Sequence, residues 1–410
     1  MPQLLKQFVS RSFVLLTTVL VFTGISIRSN ANPAIVIDVD SGRVLYSDQA
    51  TDPWYPASIT KLMTAYVAMK AVRDGRLNMD SLLTVSQASA KLPPSKMGFK
   101  PGSNIRLDNA LKIIMVKSAN DVANTIAEGV GGTTDNFVAM MNQQAQRLGM
   151  YSTRFVNPHG LPDNRQQTSA RDMAILGRTM ILEFPEYNYL FHIGAIQYGK
   201  RVMYNTNGLI GRYAGADGMK TGFICASGFN VVATATRGNT QLLTVVLGAH
   251  SANERTLQAA YLFDKGFSSS GFMSSSLDSL PASSSVTPPN LRSQICDKSG
   301  PLAEDEDGAI TTNGNSDSFA ATASFGSGTM AYADSASAKV TLGKRAKAIP
   351  EKVWLGMTPS SVPEEPDVAK KPKAKPLKGA APAKKTAQAK QGTTKLAIPP
   401  VHAKPPARPK

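Results

Sequence analysis

Apolar residues alternate along two pairs of segments, one near each end of residues 32–270. Residues 34–39 and 43–46, joined by a short turn at Asp40-Ser-Gly42, predict a β-hairpin. Residues 229–236 and 242–248 predict a second hairpin of the same kind. Strands are therefore expected at both ends of this region.

Apolar residues at helical spacing occupy the region between the hairpins. The predicted helices cover residues 58–73, 108–117, 121–130, 136–148 and 170–182, and a last one follows the second hairpin over 253–267. Residues 153–168, rich in Pro, Gly, Asn and Asp, predict a loop. The most economical assembly is an α+β fold, in which the two ends form one antiparallel sheet flanked by helices, beside a helical subdomain.

Composition changes after about residue 270. Residues 32–270 carry 23 Lys and Arg against 17 Asp and Glu, within a chain of net charge +16. Residues 271–302 and 303–410 are rich in Ser, Ala, Pro and Lys, and they bury too little apolar surface to offset the entropy of ordering them. We expect one folded domain over 32–270, an extension over 271–302, and a disordered, low-complexity tail over 303–410.

The N-terminal residues are typical of an export signal. Residues 1–28 contain three basic residues and no acidic one, residues 13–27 form an apolar run, and Ser29-Asn-Ala31 offers small residues for cleavage. The run is shorter than the roughly 20 residues of a transmembrane helix. Residues 1–31 are therefore predicted to be a signal peptide, with an uncleaved anchor as the alternative, and the mature protein is predicted to be periplasmic or at the cell surface.

The chain has two cysteines, Cys225 and Cys296. In an exported protein they can form a disulfide, which would tie residues 271–296 to the folded domain. Two unpaired thiols are the alternative.

Three short motifs carry residues suited to acyl transfer, and the first is Ser58-Ile-Thr-Lys61. On a helix, Ser58 and Lys61 lie on one face, so the lysine amine can reach the serine hydroxyl. Serine is a weak nucleophile until a base takes its proton. The amine must be neutral to do so, which burial and a nearby cation such as Lys220 both favour. Alone, this spacing also occurs by chance in ordinary helices.

The other two motifs also have structural interpretations when taken singly. In Ser118-Ala-Asn120, between two predicted helices, the polar side chains could cap a helix or relay a proton. Lys220-Thr-Gly222 directly precedes a predicted strand. Lys220 and Thr221 could bind a carboxylate and Gly222 could let a ligand approach, or the lysine could simply be exposed. Together the motifs match the S-x-x-K, S-x-N, K-T-G set of penicillin-binding proteins and class A β-lactamases.

Five longer segments extend the pattern of the motifs. They are Pro56-Ala-Ser-Ile-Thr-Lys-Leu-Met-Thr-Ala65, Ser95-Lys-Met-Gly98, Phe155-Val-Asn-Pro-His-Gly-Leu-Pro162, Ser169-Ala-Arg-Asp-Met173 and Asp217-Gly-Met-Lys-Thr-Gly222. With them, residues 32–268 resemble the D-alanyl-D-alanine carboxypeptidases, the low-molecular-weight penicillin-binding proteins of serine peptidase family S11. The resemblance implies a β-lactamase/DD-peptidase-like fold.

The resemblance also implies a role for each catalytic residue. Ser58 would form an acyl-enzyme and release the terminal D-alanine of the substrate, with Lys61 as the general base. Ser118 and Asn120 would complete the proton network. His159 would either border the substrate cleft or hold its own loop by hydrogen bonds.

Substrate binding follows from the same resemblance. Lys220, Thr221 and Gly222 would hold the terminal carboxylate, and the backbone N–H groups of Ser58 and Phe223 would form the oxyanion hole. The expected ligands are peptidoglycan stem peptides, with β-lactams as inhibitors that mimic them. No cofactor or metal ion is expected.

Three other functions share some or all of these motifs. A β-lactamase of this fold needs rapid deacylation, in class A through a Glu, and residues 153–168 contain none. An endopeptidase that cuts D-Ala cross-links would share every motif. A non-catalytic wall-binding protein would not need the full set of side chains.

The basic tail points to a further partner. Residues 369–410 contain twelve Lys and Arg and no acidic residue. Such a segment could attach to anionic membrane lipids or wall polymers, or it could be a soluble extension. Nucleic acid is not an expected partner, because the export signal places the tail outside the cytoplasm.

Overall fold

A computed structural model describes residues 32–269, 275–297, 340 and 342–357 of the chain. They belong to one compact unit, Met1–Pro366. The predicted signal peptide and residues 369–410 lie outside the described residues. Within the described residues, no helix combines the length and apolar character needed to cross a membrane.

Strands from both ends of the domain form a five-stranded sheet. The described residues contain these strands, five of which belong to this sheet: β1 (Ala34–Asp38), β2 (Val44–Asp48), β3 (Leu82–Thr84), β4 (Asn104–Arg106), β5 (Ala195–Tyr198), β6 (Arg201–Tyr204), β7 (Ala216–Ile224), β8 (Gly228–Arg237), β9 (Thr240–Ala249) and β10 (Glu351–Lys352). The order in the sheet is β2-β1-β9-β8-β7, and every neighbouring pair is antiparallel. The predicted joining of the two hairpins is thus confirmed, because β1 pairs with β9.

Helices lie on both faces of this sheet and form a helical subdomain beside it. They are α1 (Lys61–Arg73), α2 (Gln87–Lys91), α3 (Leu107–Val116), α4 (Asn120–Gly131), α5 (Thr134–Arg147), α6 (Ala170–Glu183), α7 (Tyr189–His192), α8 (Ala252–Ser268) and α9 (Arg292–Ile295). The hydroxyls of Thr133, Ser169 and Ser251 cap the first turns of α5, α6 and α8.

The central strands are buried on both faces, so their sequences are almost continuously apolar. Because side chains alternate along a strand, Ile37 and Val232 face the core under α6, whereas Val36 and Val231 face α8. Burying both faces makes this sheet a rigid platform for the segments that lie against it.

The predicted helix over residues 58–73 differs in its first turn. Residues Ala57–Thr60 form a 3-10 turn, and α1 begins at Lys61. Ala57, the first residue of the turn, has φ 48°, a left-handed conformation that ordinary helix periodicity cannot reveal. Ser58 therefore lies in the turn directly before the N-terminus of α1 and not within the helix.

The structure also corrects the position of the Lys220-Thr-Gly222 motif. The motif lies inside β7, a strand that was not predicted, and β7 in turn precedes the predicted strand that forms β8. Gly218, Lys220 and Gly222 interrupt the apolar alternation that would have predicted β7, and at Gly222 the neighbouring Ser58 turn leaves no room for a side chain. The short hairpin of β5 and β6 was likewise not predicted.

Part of the predicted tail packs on the folded domain. We call residues 342–357 the C-terminal strap. Its strand β10 pairs in parallel with β5, Leu342 and Val353 are buried, and Arg345 donates hydrogen bonds to backbone carbonyls of the domain. The prediction of a disordered tail over 303–410 is therefore corrected for the strap, whose short apolar stretch at 353–355 is too small to change the overall composition of the tail.

A disulfide joins Cys225, just after β7, to Cys296, with their Cα atoms 5.7 Å apart. Two further contacts hold the segment that contains Cys296: the Leu291 N–H donates to the Ala226 carbonyl, and the Arg171 guanidinium donates to the carbonyl of Leu277. Residues 275–297 of the predicted extension are therefore fastened to the end of the strand that carries the Lys220 motif.

Replacing both cysteines by serine should lower the free energy of unfolding by about 2–4 kcal/mol, because the bridge closes a loop of 71 residues in the unfolded chain. Urea denaturation of the oxidised protein and the Cys225→Ser/Cys296→Ser variant measures the difference. Reducing agent should destabilise the wild type alone. Equal urea midpoints for the two oxidised proteins would contradict the stabilising role.

Candidate active site

The turn that carries Ser58 is held against the central sheet from behind. Asn230 on β8 donates from Nδ2 to the carbonyls of Tyr55 (2.9 Å) and Pro56 (3.1 Å), just before the turn. Its Oδ1 accepts a hydrogen bond from the Gly248 backbone at 3.0 Å, so the amide is satisfied on both sides. Asn230 thus fixes the chain immediately ahead of Ser58.

Two glycines let other segments come into contact with this turn. A side chain on Gly222 would place its Cβ 2.7 Å from the Ser58 nitrogen. A side chain on Gly160 would place its Cβ 1.9 Å from the Ala57 oxygen, and Gly160 also has φ +86°. Gly222 was expected to give a ligand room, but in the structure the space that it leaves is filled by the Ser58 turn itself.

Lys61 is fully buried and its amine contacts three oxygens. Nζ lies 2.9 Å from Ser58 Oγ, 2.8 Å from Asn120 Oδ1 and 2.6 Å from the His159 carbonyl. The amide and carbonyl oxygens can only accept, whereas the serine hydroxyl can also donate. A neutral amine therefore gives its two N–H groups to Asn120 and His159 and turns its lone pair toward the Ser58 proton.

Asn120 is oriented by its surroundings. Its Nδ2 donates to the Pro93 carbonyl at 3.0 Å, so the amide oxygen must face Lys61. Its backbone N–H donates to the Ser95 carbonyl at 2.7 Å. The side chain is thus fixed by the segment 93–95 as well as by its place at the first residue of α4.

Asp121 fastens the same segment to α4. Its carboxylate accepts from the backbone N–H groups of Met97 (3.1 Å) and Gly98 (2.8 Å). Burial raises the pKa of Asp121, although these hydrogen bonds oppose the rise. The Ser95-Lys-Met-Gly98 segment noted in the sequence therefore lies beside the second motif.

Ser118 is buried in a backbone conformation that is unusual for serine. Its φ is 61°, and its Oγ has no hydrogen-bond partner among the described residues. A helix-capping role is not observed, since α4 has no side-chain cap hydrogen bond. Buried hydroxyls are normally hydrogen-bonded, so the Ser118 hydroxyl needs a partner that the described residues do not supply.

The third motif presents buried polar groups on β7. Lys220 and Thr221 are each 1% exposed, and the Thr221 hydroxyl lies 2.6 Å from the hydroxyl of Thr206. Phe223 stacks on Phe229 of β8, with ring centroids 4.1 Å apart. Because Gly222 touches the Ser58 nitrogen, the motif lies directly beside the nucleophile turn.

His159 contributes its backbone, and its side chain is buried. The carbonyl accepts from Lys61, and the ring Nδ1 accepts from the Leu161 backbone at 3.3 Å. Burial is the main cause that lowers the pKa of His159 to about 3, and the Lys61 amine adds to this when it is protonated. The imidazole is therefore neutral near pH 7, and its hydrogen bond to its own loop agrees with the structural alternative.

Two residues near the site were missed in the sequence. Asn230 is a polar residue inside an apolar run, which is a detectable signal of a buried structural contact. Thr206 gave no signal, because only the fold brings its hydroxyl to Thr221.

The arrangement combines a nucleophile, a base and an unpartnered hydroxyl. Ser58 can transfer its proton to Lys61 over 2.9 Å, and the adjacent backbone N–H groups and Lys220 can balance negative charge. Such a site can attack a carbonyl and form an ester on Ser58. Among the nominated residues, Gly222 and Phe223 contribute packing, whereas the others make a hydrogen bond or, in the case of Ser118, carry a hydroxyl without a partner among the described residues.

Comparison with known proteins agrees with the family resemblance that the motifs indicated. A family model described as D-alanyl-D-alanine carboxypeptidase, Peptidase S11, matches residues 23–251. The chain is 34% identical over 243 residues to the D-alanyl-D-alanine carboxypeptidase DacF of Bacillus subtilis, covering 58% of this chain and 62% of that protein. It is 34% identical over 245 residues to DacC of Escherichia coli, covering 58% and 61%. The chain thus spans less than two thirds of these relatives.

Solved structures of penicillin-binding proteins share the fold. Penicillin-binding protein 5 from Haemophilus influenzae has a TM-score of 0.56 at 32% identity, over 60% of this chain and 73% of that one. Penicillin-binding protein D2 from Listeria monocytogenes, in its cefotaxime-bound form, has a TM-score of 0.53 at 29% identity, over 60% and 100%. The chain belongs to the S11 family of serine peptidases, the D-alanyl-D-alanine carboxypeptidase family.

Proposed function

We propose that this protein is a serine D-Ala-D-Ala carboxypeptidase, which removes the terminal D-alanine from peptidoglycan pentapeptide stems. The observation that carries the proposal is the 2.9 Å approach of the buried Lys61 amine to the Ser58 hydroxyl, beside the Asn120 and His159 oxygens, which can only accept. The family of the chain supplies the reaction class.

The reaction has an acylation and a deacylation step. Lys61 accepts the Ser58 proton as Oγ bonds to the carbonyl carbon of the penultimate D-alanine. The C–N bond to the terminal D-alanine then breaks, and its nitrogen receives a proton relayed from Lys61 through the Ser118 hydroxyl. Water hydrolyses the resulting Ser58 ester, which restores the serine and releases the shortened stem.

The substrate is held by charge and by backbone donors. Lys220 and the Thr221 hydroxyl bind the terminal carboxylate, and the N–H groups of Ser58 and Phe223 stabilise the oxyanion. The contact of Gly222 with the Ser58 nitrogen supports this pairing, since Phe223 is the next residue. His159 acts through its carbonyl and its loop, and its imidazole is not the base.

β-Lactams are expected to acylate Ser58, as mimics of the D-Ala-D-Ala terminus. A relative, the Listeria protein D2, is described in cefotaxime-bound and ampicillin-bound forms. Residues 153–168 contain no Glu to activate a deacylating water, so the acyl-enzyme should persist and the protein should not be an efficient β-lactamase. Endopeptidase activity on D-Ala cross-links uses the same residues.

We further propose that the protein works outside the cytoplasm, after removal of residues 1–31. The twelve basic residues of 369–410 then attach it peripherally to anionic lipid or wall polymer. A variant that lacks 369–410 should sediment less with vesicles containing anionic lipid, while neutral vesicles give no difference. Equal sedimentation of both proteins would refute the attachment.

Fluorescent penicillin should label the wild type covalently, and the Ser58→Ala variant should not be labelled. The Ser285→Ala variant, which alters another serine well outside the motifs, is the control and should be labelled like the wild type. Gel fluorescence after denaturation reads the result. Absence of wild-type labelling between about pH 6 and 9, or retained labelling of Ser58→Ala, would refute the acylation.

Acid should destabilise the protein through His159. Its pKa is about 3 in the folded protein and about 6.5 in the unfolded chain, so between these values only the unfolded state binds the proton. The contribution of His159 to the free energy of unfolding is therefore fully present above about pH 7. It falls by up to about 1.4 kcal/mol per pH unit as the pH drops from 6 toward 4.

Urea unfolding of His159→Asn across this pH range tests the effect. The variant should have a shallower pH dependence than the wild type, because it has no imidazole to protonate. His192→Asn, at an exposed position, should keep the wild-type slope. Identical slopes for wild type and His159→Asn would show that the buried imidazole does not resist protonation.

A further inference from the structure

The C-terminal strap contacts the fold just behind the third motif. Arg345 donates from Nη1 to the Asn205 carbonyl at 3.2 Å and from Nη2 to the Asn207 carbonyl at 3.3 Å. A guanidinium presents its donors in a rigid fork, so one side chain fixes the spacing of these two carbonyls. The residue between them is Thr206.

The backbone around Thr206 is fixed from a second direction. Arg255 on α8 donates from Nη2 to the Thr206 carbonyl at 3.3 Å and from Nη1 to the Asn230 carbonyl at 3.3 Å. Three consecutive carbonyls, those of residues 205, 206 and 207, are therefore each held by a guanidinium. The side chain of Asn207 adds a bond from Nδ2 to the Gly218 carbonyl at 2.8 Å.

Thr206 connects this backbone to the candidate substrate site. Its hydroxyl lies 2.6 Å from the Thr221 hydroxyl, and both side chains are almost fully buried. Either hydroxyl can be the donor of this pair, and in both cases the hydrogen bond constrains the orientation of the Thr221 hydroxyl. Displacement of Thr206 would thus change the donor that Thr221 offers to an anion.

The strap holds Arg345 in place through contacts at both of its ends. Toward its N-terminal end, Gly343 and Ala346 donate to the carbonyls of Arg212 and Gly211. Toward its C-terminal end, Val353 donates to the Gln197 carbonyl and Gly356 to the Asn104 carbonyl. The strap therefore runs from residues 211–212 to the edge of β5, and between these contacts Arg345 bonds to the carbonyls of Asn205 and Asn207.

We propose that Arg345 is a positioning residue for substrate-carboxylate recognition, which acts through Thr206 on the Thr221 hydroxyl. The family model matches residues 23–251, so a segment outside that match completes the site. The inference rests on the proposed function, because it assumes that Thr221 binds the carboxylate.

The test compares acylation by benzylpenicillin with acylation by its methyl ester, which lacks the carboxylate anion. Intact mass spectrometry gives the second-order rate constant for each compound. The ratio that we compare is the rate constant for benzylpenicillin divided by that for its methyl ester. In Arg345→Ala this ratio should fall by about tenfold, since the hydrogen bond from Thr221 to the carboxylate is weakened for benzylpenicillin only. Arg345→Lys should recover part of the ratio, because an ammonium can reach one carbonyl but cannot fork across two.

Two further variants separate positioning from general effects. Lys347→Ala removes a positive charge from an exposed position of the same strap and should leave the ratio unchanged. In a Thr206→Val background, Arg345→Ala should lower the ratio by less than about twofold, because the connecting hydroxyl is already gone.

The outcomes distinguish this inference from the proposed function. If the wild type is acylated by neither compound, the proposed function fails. If the wild type is acylated and Arg345→Ala keeps its ratio, even with a lowered melting temperature, Arg345 is only structural and the inference is overturned. A full tenfold effect of Arg345→Ala in the Thr206→Val background would refute the route through Thr206.

Discussion

The buried amine of Lys61 imposes the constraint on which the rest of the site depends. An amine away from water must satisfy its hydrogens within the protein, and two of its three neighbours can only accept. These neighbours come from different segments: Asn120 from the start of α4 and His159 from the loop before α6. The geometry of Ser58 and Lys61 is thus correct only when three distant parts of the chain are folded together.

The central sheet supplies the reference for these segments. Asn230 holds the chain before Ser58, and Gly222 and Gly160 allow strand and loop to touch the turn without a side chain between them. A methyl group at either glycine would push the turn away from its support. The contacts beyond the catalytic residues therefore fix the position of the Ser58 turn. The Arg345 hydrogen bonds fix residues 205–207 in the same way, from a segment far along the sequence.

Much of this could be predicted because the signals are local. The hairpins, the helices and the approach of Lys61 to Ser58 all follow from spacing within short segments. β7 could not be predicted, since Gly218, Lys220 and Gly222 break the strand pattern, the last of them because the Ser58 turn packs against it. The strap was missed for another reason: backbone hydrogen bonds and one arginine fasten it, and neither has a signature in composition. Thr206 lies outside the strands, and only the folding of the chain brings its hydroxyl to Thr221.

The central claim is that neutral Lys61 takes the proton of Ser58. Its most direct test is the rate of acylation by benzylpenicillin in the Lys61→Arg variant, followed by intact mass between about pH 6 and 9. A guanidinium keeps the positive charge and can donate to the same acceptors, but it cannot lose its proton. The account predicts a folded variant whose acylation is slower by about a thousandfold at every pH. Acylation within tenfold of the wild type would contradict it.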